Sequence, residues 1–497
     1  MIKPQNNNTM ETLPVPVKDS GVLLLPDSQR VIARSHVPFS EARVERIIAR
    51  VLALEEAEAQ KELKDVFAKF AHRYHSIQSL LERQYQMIRR HLPSDVLPSP
   101  ERRLLIGSLF LAEYSFESTA LFNPSIVPHP DQSGMPQGSL RFIMSLRATG
   151  EGHISSLTFR SGSIDQKHIV TLDPTLGFAS TAEMKANYLY DKPSFVRKLR
   201  EMNIVGDLPD SIAGRLADEF TYEDLMEKVK YYAFEHKPLP QSDRLAADKI
   251  QWLALCNYEA HFDASVALPE RVLFPLSPSE QNGIEDARFV LFTDDDGSQR
   301  YYATYTAYDG KAILPQLMET QNFEHFKMIT LNGNAALNKG MALFPRKIRG
   351  RYAMVSRQDN ENLFLMYSDN IHFWHEAQPL MKPSYPWEFM QIGNCGSPME
   401  TEQGWLLLTH GVGPFRQYSI GAALLDRDDP QKVIGRLREP LIRWTEAGRS
   451  GYVPNVVYTC GALIHKGTLV LPYAMSDRQT AVALVELGPL VERLLKG

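Results

Sequence analysis

The hexapeptide Gly283-Ile-Glu-Asp-Ala-Arg288 puts two carboxylates and a guanidinium directly ahead of an apolar run. Neighbouring acids on an extended segment face opposite ways, so only one of Glu285 and Asp286 need point into a site. A carboxylic acid held in a water-poor mouth has its pKa raised and serves as a general acid. A surface turn with a local ion pair would carry the same residues, and the motif alone does not separate the two readings. A second segment, Asn338 to Arg357, is strongly basic within an acidic chain. Lys347 and Arg349 fall on a hairpin turn and read as solvated, whereas Lys339 and Arg357 flank the hairpin. Two converging cations are what a phosphate or another oxyanion needs. In the third, small residues from Asn394 lead to His410, Arg416 and Tyr418, which add donors. His410 taken alone also fits a buried structural histidine. His72 and His75 lie three apart on a helix with no third ligand nearby, so they read as structural and no metal site is expected. The chain has no P-loop, no complete GxGxxG, no HExxH and no paired CxxC, and no cofactor is expected.

The elements that must position these residues are mostly strands, and they repeat. Apolar strands ending in a polar residue recur at Arg147, Tyr308, Arg357, His410 and Asp477, the last four beginning roughly 50–65 residues apart. Five such units predict a five-bladed β-propeller, in which equivalent strand ends converge on one mouth of a central channel. A ring of convergent polar ends is the default ligand site; five solvated strand ends are the plainer alternative. Helices interrupt the pattern twice. Residues 1–30 read as a polar N-terminal arm, and 31–115 as a helical region. Within that region Ser40 caps a helix carrying Val44, Ile47, Ile48 and Val51. A second run goes from Leu63 to Ile88, and a third helix starts at Pro100. The propeller then begins over 116–180, a helical insert occupies 181–240 with Thr221 and Asp224 as a capping box, and 241–497 completes the propeller. The apolar stripes of the N-terminal helices are expected to pack on each other, on the propeller, or in a homo-oligomer.

Composition narrows the class. Hydrophobic residues are 43% and charged residues 23% of 497, which excludes a disordered chain or a coiled-coil rod. Fifty-nine acids against 54 Lys and Arg give a net charge of −5, which disfavours a general nucleic-acid binder. No apolar stretch approaches a membrane span, and no secretory signal is visible. Three scattered cysteines, Cys256, Cys395 and Cys460, are not a disulfide framework. A cytoplasmic location is expected.

Taken together, these segments resemble glycoside hydrolase family 130, the inverting β-mannoside phosphorylases and related β-mannosidases. The resemblance rests on Phe122-Asn-Pro-Ser125, Gly283 to Arg288, Tyr305-Thr-Ala-Tyr-Asp-Gly310, Asn338 to Tyr352, Tyr367 to Trp374, Gly404 to Gly411, Tyr418 to Pro430 and Pro454 to Ala462. It covers about residues 120–180 and 240–497; the helical parts resemble those of a longer subgroup. The family implies a five-bladed propeller and an unusual mechanism. One Asp, matched by Asp286, relays a proton through a mannosyl hydroxyl to the glycosidic oxygen, while inorganic phosphate, a co-substrate, attacks the anomeric carbon from the opposite face. Lys339 and Arg357 match phosphate contacts, and His410, Tyr418 and Arg416 fall on the phosphate side. Asn123, Arg147 and Asp477 match positions that hold the mannosyl ring, and Glu285, Arg288 and Tyr308 join them as expected substrate contacts. The expected substrate is a manno-oligosaccharide or mannosyl disaccharide, and the expected product is α-mannose 1-phosphate. One departure stands out: many phosphorylases of the family have Lys where this chain has Glu400. An inverting hydrolase needs a second carboxylate roughly 6.5–9.5 Å from the acid, so Glu400 as a base defines the alternative, a β-mannosidase. A non-catalytic carbohydrate-binding propeller is the third reading.

Overall fold

In the computed structural model, residues 15–175, 177–185, 188–445, 451 and 453–496 are described. The fold is mainly β with helical additions. Its strands fall into five antiparallel sets along the chain. The first is built on Ala120–Pro128, Leu140–Thr149 and Ser155–Ile164, and the second on Gly283–Thr293, Gln299–Tyr308, Ile313–Thr320 and His325–Thr330. The third holds Tyr352–Ser356, Leu363–Ser368 and Ala377–Met381; the fourth, Gln391–Asn394, Gly404–Val412 and Tyr418–Leu425. The fifth holds Val457–Tyr458, Thr468–Met475 and Gln479–Glu486.

Period-two alternation decides which neighbour each set packs on. In Gly404–Val412, Trp405 and Leu407 share a core with Val355 and Leu365 of the third set, whereas Leu406 and Leu408 share one with Leu469 and Leu471 of the fifth. Phe292 and Leu317 of the second set meet Met354 and Met366 of the third, and Phe289 and Tyr305 meet Ile143 and Phe159 of the first. The fifth set packs back on the first through Val470 and Val482 against Phe142 and Met144. Each set thus shares one core with the next, and the last shares one with the first. Burial on both faces explains why these strands read as unbroken apolar runs.

Several segments differ from their sequence reading. In the N-terminal arm, Val17–Leu24 forms a strand at the edge of the fifth set, paired with Gln479–Glu486, because alternate apolar side chains there find a partner strand; residues 1–14 lie outside the described residues. Arg30 goes further inward, where it and Arg160 both bind the buried Glu117. The run from Leu63 to Ile88 is two helices, Glu56–Phe70 and Ile77–Ile88, divided where the Ser76 hydroxyl caps the second by accepting from Ser79 N. These helices, with Glu41–Leu52 and Pro100–Ser108, bury Val44, Ile48, Val51, Tyr85 and Ile88 in a core of their own, bracketed by the paired strands Val31–Ser35 and Leu111–Ser115. Thr221 and Asp224 do form the capping box of Tyr222–Glu235. The insert runs past residue 240, since Gln241–Leu255 is helical and packs Ile250, Leu253 and Ala254 into the insert's core. Among the described residues no helix is long and apolar enough to cross a membrane.

Candidate active site

Asp286 sits at a bulge. The pairing of its strand with Gln299–Tyr308 shifts register between Glu285 and Arg288, and Asp286 takes a φ of 53°. A bulge of this kind re-aims side chains beside functional sites. It also overrides the alternation expected from the sequence: both acids turn to the same guanidinium. Arg147 Nη2 lies 2.7 Å from Glu285 Oε1, and Arg147 Nη1 lies 3.1 Å from Asp286 Oδ1. Asn123, at a second bulge between Phe122 and Ser125 with a φ of 49°, donates from Nδ2 to Asp286 Oδ1 at 2.7 Å. Arg147 is steadied by the Ser155 hydroxyl at 2.9 Å and lies over the Phe122 ring.

Burial pushes the Asp286 pKa up, but Arg147, then Arg288 and Lys339, and the Asn123 hydrogen bond outweigh it and hold the carboxyl well below the usual range. Asp477 shows the opposite balance. It also sits at a positive φ, 48°, just beyond Thr468–Met475. Burial, opposed by Arg147 and reinforced by Asp286 across the site, raises it to about 6.

Beside this acidic group lies a cationic one. Arg288 is 3% exposed and Arg357 8%. Arg288 donates from Nη2 to the Tyr458 hydroxyl at 2.8 Å and from Nη1 to the Asp286 carbonyl at 2.8 Å. Arg357 Nη1 is 3.3 Å from His410 Nε2. The Nε atoms of both arginines are buried without a hydrogen-bond partner among the described residues. His410 is stacked on Tyr418 with centroids 5.7 Å apart and meets Tyr458 edge-on at 4.9 Å. Burial, then Arg357 and Arg288, push its pKa well down, so it is a neutral imidazole. Gly393 pairs with His410 across the strands, and a Cβ there would run into the imidazole, so the ring's position depends on that glycine. Side chains from all five strand sets therefore meet: Asn123 and Arg147, Asp286 and Arg288, Arg357, His410 and Tyr418, Tyr458 and Asp477.

Four expected site residues stand differently. Lys339 is at the rim, its Nζ 4.0 Å from Glu285 Oε2. Arg416 is exposed, close enough to act on Asp477 electrostatically. The Tyr308 hydroxyl turns away to the Gly310 carbonyl at 3.0 Å, within its own turn. Glu400, expected as a base in the hydrolase reading, is held elsewhere: Arg346 binds its two oxygens at 2.9 and 2.7 Å, and Arg427 adds a contact at 3.2 Å. Hydrogen bonding to Arg346 pulls its pKa down. Its strand, Met399–Thr401, is an outlying hairpin arm whose Glu400 pairs with Trp405, and Arg346 covers the Trp405 ring. Tyr458 escaped the sequence reading. It stands inside Pro454 to Ala462, at the end of the two-residue strand Val457–Tyr458. His75 ties the helical region to the core through Glu270 at 2.6 Å. Among the described residues no cluster of three or more His, Cys, Asp or Glu could hold a metal ion.

Residues 259–495 match the model of a glycoside hydrolase family 130 described as beta-1,4-mannooligosaccharide phosphorylase. A 1,2-beta-oligomannan phosphorylase of Thermoanaerobacter sp. (strain X514) is 33% identical over 229 residues, 44% of this chain and 74% of the relative. A beta-1,2-mannobiose phosphorylase of the same organism is 33% identical over 241 residues, 46% of this chain and 73% of the relative. The chain belongs to glycoside hydrolase family 130. Among solved structures, the beta-1,2-mannobiose phosphorylase of Listeria innocua in complex with beta-1,2-mannobiose aligns with a TM-score of 0.45 at 19% identity, covering 77% of this chain and 94% of that one.

Proposed function

We propose that this chain is an inverting β-mannoside phosphorylase on a five-bladed β-propeller, cleaving a mannosyl disaccharide or manno-oligosaccharide with inorganic phosphate to give α-mannose 1-phosphate. The cyclic sharing of cores among five strand sets supports the propeller. The observation that carries the reaction is the pair of buried guanidiniums, Arg288 and Arg357, close enough to act on one another electrostatically, without a carboxylate ion-pair partner among the described residues, and next to an acid held by Asn123 and Arg147. Two desolvated like charges are unfavourable unless an anion joins them, and phosphate satisfies their unpartnered Nε donors. Neutral His410 and the Tyr418 and Tyr458 hydroxyls complete that wall, with Lys339 at its rim.

In this reading Asn123, Arg147, Glu285 and Asp477 hold the mannosyl ring. Asp286 gives its proton to a mannosyl hydroxyl, whose own proton passes to the glycosidic oxygen. The C1–O bond breaks, the acceptor sugar leaves with its hydroxyl restored, and a phosphate oxygen forms the new bond to C1 from the opposite face. Arg147, Arg288, Lys339 and the Asn123 hydrogen bond hold Asp286 ionised, so a proton must arrive before the step. An anion between Arg288, Arg357 and Lys339 weakens the field that depresses the Asp286 pKa, so phosphate binding and protonation of Asp286 reinforce one another. The hydrolase reading lacks its base once Glu400 is paired with Arg346 and Arg427. A charged sugar phosphate does not cross membranes, which accords with a cytoplasmic enzyme. The test is cleavage of β-1,2- and β-1,4-mannobiose with and without phosphate: turnover that does not depend on phosphate rejects the proposal.

A further inference from the structure

The Arg357 guanidinium is held at one corner. All the hydrogen bonds it makes among the described residues are at Nη1. One Nη1 hydrogen goes to His410 Nε2, 3.3 Å away. A guanidinium only donates, so Nε2 of this neutral imidazole accepts, and the ring proton sits on Nδ1. The other Nη1 hydrogen goes to the side chain of Gln391.

Gln391 reaches the guanidinium because of its place on the strand. It opens Gln391–Asn394, in which Gly393 pairs with His410. Side chains two apart on a strand share a face, so Gln391 lies on the face where Gly393 leaves room for the imidazole. One orientation of its amide satisfies both ends: Oε1 accepts from Arg357 Nη1, and Nε2 donates to the Asn360 carbonyl at 3.1 Å. The reverse orientation sets oxygen against acceptors and nitrogen against donors. Asn360 stands in the hairpin after Tyr352–Ser356, at a φ of 63°. That hairpin is fixed in turn. Asp359 Oδ1 accepts from Glu361 N at 2.9 Å and Asn362 N at 2.8 Å, and Ile392 N donates to the Glu361 carbonyl at 2.9 Å. Gln391 thus bridges a tied-down turn of the third strand set to the cation beside His410.

The amide suits this place for a physical reason. It accepts from the cation, donates to a carbonyl, and leaves the charge of Arg357 uncancelled. A carboxylate would accept more strongly, but it would neutralise the guanidinium and face the Asn360 carbonyl without a proton. An apolar side chain would leave Arg357 on its one 3.3 Å contact to His410. The planar fork would then turn more freely, and a fork binds an oxyanion well only in a fixed plane. With both Nη1 hydrogens engaged, Nη2 at the opposite corner keeps its own for an anion.

We propose that Gln391 is a positioning residue for phosphate: with His410 it fixes the plane of the Arg357 guanidinium so that Nη2 meets the anion. The inference rests on the phosphorylase reading. Phosphate calorimetry and steady-state kinetics on the full chain compare wild type with two variants. Gln391→Met keeps the length and loses both hydrogen bonds; Gln391→Glu keeps the shape and adds a charge. The phosphate Kd and KM are expected to rise at least ~5-fold in Gln391→Met, part of what a hydrogen bond to a charged group contributes. In Gln391→Glu they are expected to rise at least ~10-fold, because the carboxylate cancels the cation. The mannobiose KM should stay within about twofold in both, a split that a general loss of structure would not give. Melting temperatures report that the variants are folded. Unchanged phosphate affinity in both folded variants, or phosphate and sugar KM rising together, would overturn the assignment while leaving the phosphorylase reading intact. A wild type that binds no phosphate would overturn both. If neither variant folds, a crystal structure of wild type with phosphate decides: Nη1 on Gln391 with Nη2 on phosphate is expected, and a guanidinium turned away from Gln391 would overturn the assignment.

Discussion

Replacing Asp477 by Asn should make the protein more stable at neutral pH, and only there. The Asp477 carboxyl is half-buried near Arg147, Asp286, Arg416 and Glu285, and desolvation raises its pKa from 3.8 to about 6. That difference corresponds to roughly 3 kcal/mol. Below about pH 4 the folded and unfolded chains are both protonated at this position, so it contributes no penalty. Between about pH 4 and 6 the folded chain binds more protons than the unfolded one, and stability falls as pH rises. Above about pH 6 the penalty is complete. Asparagine has nearly the same shape and no charge, so the variant should gain up to roughly 3 kcal/mol over wild type at pH 7.5, about 3 °C in melting temperature for a chain of this length. Near pH 4 the two should melt together. Thermal melts across pH 4–8 measure the difference. A difference that is flat with pH, or one that grows towards acid, would refute the assignment of a desolvated carboxyl in the mouth.

Three further substitutions test the site. Asp286→Asn should lower turnover by at least ~100-fold, the contribution of a general acid, and should also remove the acid-side stability loss expected as pH falls below about 4 towards the depressed Asp286 pKa; steady-state rates and melts read the two effects separately. Arg357→Lys keeps the charge but loses the planar fork, so the phosphate KM should rise at least ~10-fold with a smaller change in the sugar KM. Glu400→Gln should leave kcat within about twofold and cost no more than about 1 kcal/mol, because its partners are partly exposed arginines; a ~100-fold fall in phosphate-free hydrolysis would restore it as a base.

Strand repetition was legible because the inner strands, such as Gly404–Val412 and Thr468–Met475, are buried on both faces, which leaves long apolar runs with one polar residue at the end. The four residues Arg147, Arg357, His410 and Asp477 could be placed together from those ends alone. Tyr308, the fifth, ends an equivalent strand, but its hydroxyl closes a local turn, a choice that strand pattern does not encode. Glu285 and Asp286 were expected to diverge, and the bulge brings them onto one guanidinium; a register shift of this kind depends on the partner strand and leaves no local mark. Glu400 stood as a candidate base because it replaces a Lys of the resembling phosphorylases and an inverting hydrolase needs a second carboxylate. Its partners, Arg346 and Arg427, come from flanking segments more than 25 residues away in either direction. Helix caps were the opposite case. Thr221 with Asp224, and Pro100 at a first turn, act through neighbours within three residues, so the sequence carries them directly.

The most direct test of the central claim is the product formed from β-mannobiose in the presence of phosphate, followed by ³¹P NMR. Phosphorolysis gives α-mannose 1-phosphate in equal amount to released acceptor sugar, none when phosphate is left out, and a rate that collapses in Asp286→Asn. Free mannose formed at the same rate without phosphate, or the β-anomer of the sugar phosphate, would contradict it.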